Sequence, residues 1–100
     1  MGQSSSAGPA RDPAARVELA LALAYRYIDR RERSVEEVRR HLDAKGVQPQ
    51  TTADVVRLLG EQGQLDDVRF ARLFAEDKRE LEGWGAERIR RGLIGRGVDP

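Results

Sequence analysis

Along the chain, apolar residues recur at helical spacing in five separate runs, and no run alternates apolar and polar positions long enough to make a strand. Val17, Ala20, Leu21, Ala24, Tyr27 and Ile28 form the first stripe, widened by Leu19 and Leu23. Asp12 offers a capping acceptor and Pro13 suits the first helical position, so a helix is predicted from here to near Arg31. Ser34-Val35-Glu36-Glu37 matches a capping box and starts a second helix, with Val35, Val38 and Leu42 as its apolar edge and Gly46 as its left-handed stop. Pro49 blocks continuation. Thr51 or Thr52 then caps a third helix over 52–62, which carries Val55, Val56, Leu58 and Leu59 and ends at Gly63.

Asp66 and Asp67 can cap a fourth helix bearing Val68, Phe70, Ala71, Leu73, Phe74, Ala75 and Leu81, broken by Gly83 or Gly85. A fifth begins near Ala86 with Ile89, Leu93 and Ile94, and Gly97 stops it; Gly92 and Gly95 inside it predict fraying. Residues 1–11 are rich in Ser, Gly and Ala and are expected to be a disordered tail.

Sliding the sequence on itself by 51 residues aligns 17–49 with 68–100 without a gap and gives ten identities in 33 positions. Average composition would give about two. The matches fall where helices start, pack and stop: Glu36, Arg39, Arg40, Leu42, Gly46, Val47 and Pro49 meet Glu87, Arg90, Arg91, Leu93, Gly97, Val98 and Pro100. The expected fold is all-α, built of tandem three-helix repeats, with a complete repeat over 12–65 and the first two helices of another over 66–100. An array unit needs its neighbours to cover its apolar edge. The expectation is therefore that the chain is a fragment of a longer protein, or that the edge formed by Ile89, Leu93 and Ile94 is exposed.

Composition narrows the chemistry. Without cysteine there is no disulfide framework or thiolate metal site, which favours a cytosolic setting. No apolar run reaches the length of a membrane span, and no secretory signal opens the chain. The 18 basic residues are nearly cancelled by 17 acidic ones, a weak signature for a dedicated nucleic-acid binder, and a better fit to docking on a protein through complementary charge. His41 has no Ser, Cys or second His to work with and reads as a surface residue, while the side chains of Glu36 and Glu37 diverge on their helix. No catalytic residue and no metal site is expected.

Arg33-Ser34-Val35-Glu36-Glu37-Val38-Arg39-Arg40, then Leu42 and Lys45-Gly46-Val47, resemble the opening repeat of the RecX regulatory proteins. Leu65-Asp66-Asp67-Val68-Arg69-Phe70-Ala71 is similar to that family's strongest signature, and Gly85, Glu87, Ile89, Leu93 and Arg96-Gly97-Val98 continue it. The resemblance covers Val17 to Pro100. It implies an array of three-helix repeats, three in the usual member, acting in the cytoplasm. It also implies binding along the groove of the RecA nucleoprotein filament and inhibition of RecA strand exchange, ATP hydrolysis and co-protease activity, with effects on DNA repair, recombination and the SOS response. It implies no cofactor, leaves room for weak contact with DNA in the filament, and says nothing of oligomeric state. Ending within the second repeat departs from the family pattern and bears on how far the array can reach.

Candidate contacts follow from charge. Arg26, Arg30, Arg31, Arg33, Arg39 and Arg40 form the densest basic stretch, partly repeated by Arg88, Arg90, Arg91 and Arg96. Arg31, Arg33, Arg39, Arg40, Arg88, Arg90 and Arg91 are the candidate partner-binding residues, with the acidic stretch Glu61 to Glu82 facing the other wall of the groove. The plainer alternative is a set of solvated helix faces with pairs such as Glu36 with Arg40. Asp66, Asp67, Phe70, Ala71, Gly46 and Gly97 belong to the family signature and read as structural: caps, core and helix stops. Trp84, between two glycines, reads either as a plug over the junction of the repeats, the favoured reading, or as an exposed interface anchor. The competing functional class is a helix-turn-helix nucleic-acid binder, but the second helix mixes Glu36, Glu37 and Asp43 with its arginines, an acidic load unsuited to reading base edges.

Overall fold

Pro13 opens the first helix in the computed structural model, which describes residues 12–99; the expected tail over 1–11 lies outside them. Among the described residues there are five helices and no strand: α1 (Pro13–Ile28), α2 (Val35–Ala44), α3 (Pro49–Glu61), α4 (Asp67–Leu81) and α5 (Ala86–Gly95). The fold is a tandem array of three-helix-type units, extending 62 × 21 × 19 Å.

The caps mostly obey the local chemistry. Asp12 accepts from the Ala14 N–H at 3.0 Å. Ser34 and Glu37 form the reciprocal box, each side chain 3.0 Å from the other's backbone N–H. Gly46 and Gly97 close α2 and α5 with φ +83° and +76°, and in both places the following valine N–H returns 3.0 Å to a leucine carbonyl, Val47 to Leu42 and Val98 to Leu93. The two ends are the same motif, 51 positions apart.

At α3 the expectation needs correcting. Neither Thr51 nor Thr52 is the cap: the helix starts at Pro49, after Gln48, whose side chain makes no capping bond. Proline needs no N–H partner at the first position, so the residue taken as a breaker is the starter. Both threonines turn inward and are buried. α1 likewise ends at Ile28 rather than near Arg31.

The apolar interior divides into two clusters that share no residue. Ala20, Ala24, Val38, Leu42, Val55, Leu59 and Leu65 form the first, where α1, α2 and α3 meet. Phe70, Phe74, Ile89, Leu93 and Val98 form the second, between α4 and α5. Corresponding helices bury different stripes: α1 buries the small Ala20 and Ala24, whereas α4 buries Phe70 and Phe74, each one position before the aligned alanine. Small side chains let α1 lie against two helices at once; the phenylalanine rings supply bulk where α4 has only α5 beside it. Of the two alternatives expected for the α5 edge, exposure holds for Ile94 alone. Ile89 and Leu93 are 6% and 5% exposed, and only Ile94, at 50%, faces outward.

Candidate partner-binding surfaces and the joint between units

The two units meet at the start of α2, and the contact is polar. Asp66 caps its own helix, accepting from Val68 and Arg69 at 3.0 and 3.1 Å. Asp67 does not. Its carboxylate reaches back to the Val35 N–H at 2.9 Å, taking one of the donors that the first turn of α2 leaves over. The aspartate pair thus caps two helices in two units. Ser34, fully buried, accepts from Glu37 while its hydroxyl donates to the Arg96 carbonyl at 2.7 Å. Arg40 donates to the Gly95 carbonyl at 3.0 Å, so two of the free carbonyls at the end of α5 are met by the first unit. Arg69 ties Glu32 at 3.2 Å to the Gly63 and Gln64 carbonyls at 3.0 and 3.3 Å. Gly97 lies against Glu36 so closely that any Cβ there would collide with it.

The arginines of the candidate set are spread over several environments. Arg31 pairs with Glu37 at 3.3 Å, and Arg33 lies over the Tyr27 ring at 3.8 Å. Arg39 and Arg40 both hold Glu36, and this, chiefly the Arg39 hydrogen bond, keeps the Glu36 carboxyl below its ordinary range. Arg90 repeats the arrangement with Glu87 at 2.7 Å and lowers that carboxyl in the same way. Arg88 covers Trp84 at 4.2 Å, and Arg91 stands exposed. Of the signature residues, Phe70 is core, Ala71 packs against it, and Gly46 and Gly97 are the left-handed stops.

Trp84 is placed differently from its expected position at the junction. It meets Phe74 edge-on at 6.1 Å and approaches Gly92, so it covers its own unit's core. Between the repeats there is instead an open groove of about 340 Å³, lined by Arg31 and Glu32 on one side and by Phe70, Leu73, Glu76 and Glu80 on the other. Sequence reasoning missed Arg69 and Ser34 as joint residues. For Arg69 the signal was its place directly after the aspartate pair; for Ser34, the capping box hid a second hydrogen bond.

Among the described residues no cluster of His, Cys, Asp or Glu could hold a metal ion, and no helix is long and apolar enough to cross a membrane. Two helical units joined through their caps define the class: a helical-repeat protein. The family models of the first and second three-helix domains of RecX match residues 20–57 and 66–100, in that order, and the chain belongs to the RecX family of regulatory proteins. It is similar to the regulatory protein RecX of Xanthomonas campestris (strain B100), 39% identical over 70 residues, covering 70% of this chain and 43% of that protein. The RecX of Lactobacillus johnsonii is 35% identical over 79 residues, covering 79% and 29%. That of Bacillus subtilis is 30% identical over 73 residues, covering 73% and 28%. The chain therefore spans less than half the length of these curated relatives. No solved structure matches.

Proposed function

We propose that the chain binds the RecA nucleoprotein filament in the cytoplasm and restrains its recombinase, ATPase and co-protease activities, so modulating DNA repair and recombination. The observation that carries this reading is the ordered match of both RecX three-helix domains, on units fixed to one another through the family's own aspartate pair. Regulation is by occupancy of the filament groove rather than by chemistry on a substrate. An elongated array suits that task, with Arg88 and Arg91 offering cations not committed to a carboxylate and the groove carrying Glu76 and Glu80.

The helix-turn-helix alternative fares poorly on geometry. Arg39 and Arg40 of α2 are both engaged by Glu36, which sets a carboxylate beside the guanidiniums that a reading helix would offer to base edges. The deciding experiment is DNA-dependent ATP hydrolysis by the cognate RecA on single-stranded DNA, titrated with this chain. A saturable loss of hydrolysis below one chain per RecA protomer is expected. Unchanged hydrolysis together with absence from sedimented filaments would overturn the proposal.

A further inference from the structure

Most cations of this protein are matched within the fold, which makes the unmatched ones informative. Arg31, Arg39, Arg40, Arg57, Arg69, Arg72, Lys78, Arg90 and Arg96 all lie in ion pairs. Around the end of α1 the pattern reverses. A cleft of about 340 Å³ is lined by Leu23, Arg26, Tyr27, Arg30, Arg33, His41 and Lys45, with no carboxylate among the lining residues.

Two of these side chains are fixed by a stack. Tyr27 lies parallel to His41, with ring centroids 3.9 Å apart and planes 5° from parallel, and the Arg33 guanidinium covers Tyr27 while its Nε donates to the Tyr27 carbonyl at 3.1 Å. Arg26 projects from the last turn of α1, Arg30 from the turn after it, and Lys45 from the end of α2. Like charges held this close repel: Arg31 and Arg30 help to depress Arg33, though burial does more, and Lys45, Arg33 and Arg30 add to burial in keeping His41 below its ordinary value. The carboxylate that acts on Arg33 is Glu37, and Glu37 itself is already hydrogen-bonded to Arg31 and to the Ser34 N–H. Concentrated positive charge beside a partly pre-arranged guanidinium is the chemistry that recognises phosphate oxygens, which accept several charge-assisted hydrogen bonds at once.

We propose that the Tyr27–His41 cleft is a phosphate-binding site of this chain, formed by Arg26, Arg30, Arg33, His41 and Lys45. A bound phosphate relieves the repulsion among these cations, and His41 takes up a proton more readily when the site is filled. The matching part of the second unit cannot form such a cleft: the positions 51 residues on from Tyr27, Arg33 and His41 are Lys78, Trp84 and Gly92. The cleft is a property of the first unit alone, and phosphate binding there is independent of any contact with RecA.

His41 is the single histidine, so its ring signals in a proton–nitrogen NMR spectrum report on the cleft, while the Trp84 indole reports on the far unit. The chain would be titrated with pyrophosphate and, separately, with an oligodeoxythymidylate. Saturable displacement of the His41 signals with the indole unmoved, and an upward shift of the His41 titration with ligand, are expected. Tighter and more salt-sensitive binding of the oligonucleotide assigns the phosphate to a nucleic-acid strand; pyrophosphate as the better ligand assigns it to a small phosphate compound. Arg26→Gln with Arg30→Gln should weaken binding about tenfold or more and flatten the salt dependence by about one unit of slope per lost contact. Among the described residues neither arginine is in an ion pair, and helical circular dichroism of the variant checks that the fold is kept. Arg57→Gln with Arg72→Gln, two exposed arginines outside the cleft, should leave binding intact. If neither probe moves His41, or the two double variants behave alike, the proposal is wrong.

Discussion

Gly46 and Gly97 end equivalent helices in the same backbone conformation, yet only one of them touches the other unit, so the pair of substitutions Gly46→Ala and Gly97→Ala isolates that contact. An L side chain in the left-handed region costs about 1–2 kcal/mol at either position. Around Gly46 there is open space, and nothing further is lost. At Gly97 a methyl group would sit 2.6 Å from Glu36 Cγ and nearer still to Glu36 Cβ. Because that Cβ is bonded directly to the α2 backbone, relief requires the helices to separate, adding about 1–3 kcal/mol for overpacking. Separation would also stretch the Ser34–Arg96 and Arg40–Gly95 bonds. Urea unfolding followed by helical circular dichroism and by fluorescence of Trp84, the single tryptophan, reads both the whole chain and the second unit. Gly97→Ala should lose at least about 1 kcal/mol more than Gly46→Ala, with the Trp84 transition moving to lower urea than the helical one. Equal losses within about 0.5 kcal/mol, the usual additivity error, would refute the idea that Gly97 is held by close approach to the first unit.

Ser34→Ala removes a cap and the hydroxyl that meets Arg96, so a loss of about 1–3 kcal/mol is expected in the same assay, whereas a loss below about 0.5 kcal/mol would show that the buried hydroxyl is replaceable. Gly92→Leu should cost about 1–3 kcal/mol because Phe74 and Trp84 already press on that position, while Gly95→Ala, facing open space, should gain up to about 1 kcal/mol; reversal of that order counts against the packing described. His41 is held below its ordinary value by burial first and by Lys45, Arg33 and Arg30 next, so the unfolded chain takes up the proton more readily. The stability tied to neutral His41 is therefore complete above about pH 6.5 and falls as pH drops through the folded value. Thermal melts between about pH 8 and pH 5 should show a decline that His41→Gln lacks, and parallel declines in both proteins would remove His41 as the cause.

The capping box and the glycine stops were legible in the sequence because each is set by residues within about a turn of one another, and the repeat because those same local signals recur 51 positions on. Pro49 shows the limit of that reading: the same ring stops one helix and starts the next, and only the position of Thr51 and Thr52 inside the core decides between them. Asp67 could be recognised as a cap but not assigned to its helix, since the N–H it serves is 32 residues away. The burial of Ile89 and Leu93 depended on α4 presenting Phe70 and Phe74 rather than the aligned alanines, a rotation that periodicity leaves open. Among the charges, sequence proximity grouped Arg39 and Arg40 with Arg33, but pairing separates them: the first two are engaged by Glu36, and the third lies beside cations without carboxylate partners. His41 was read as a surface residue and is in fact half-buried against Tyr27.

The joint between the units has a mechanical consequence. Each unit keeps its own apolar cluster, and what passes between them is a handful of directional bonds from Ser34, Asp67, Arg40 and Arg69, the Arg96–Glu37 ion pair and the close approach of Gly97 to Glu36. Turning one unit against the other trades such bonds for water at about 0.5–1.5 kcal/mol each and uncovers neither core. Melting a unit, by contrast, exposes fully buried leucines such as Leu42 and Leu59, each worth about 2–5 kcal/mol when truncated. The set of one unit on the other is thus held by polar contacts rather than by a shared core, so a change at the joint is expected to alter the angle between the units before it melts either one.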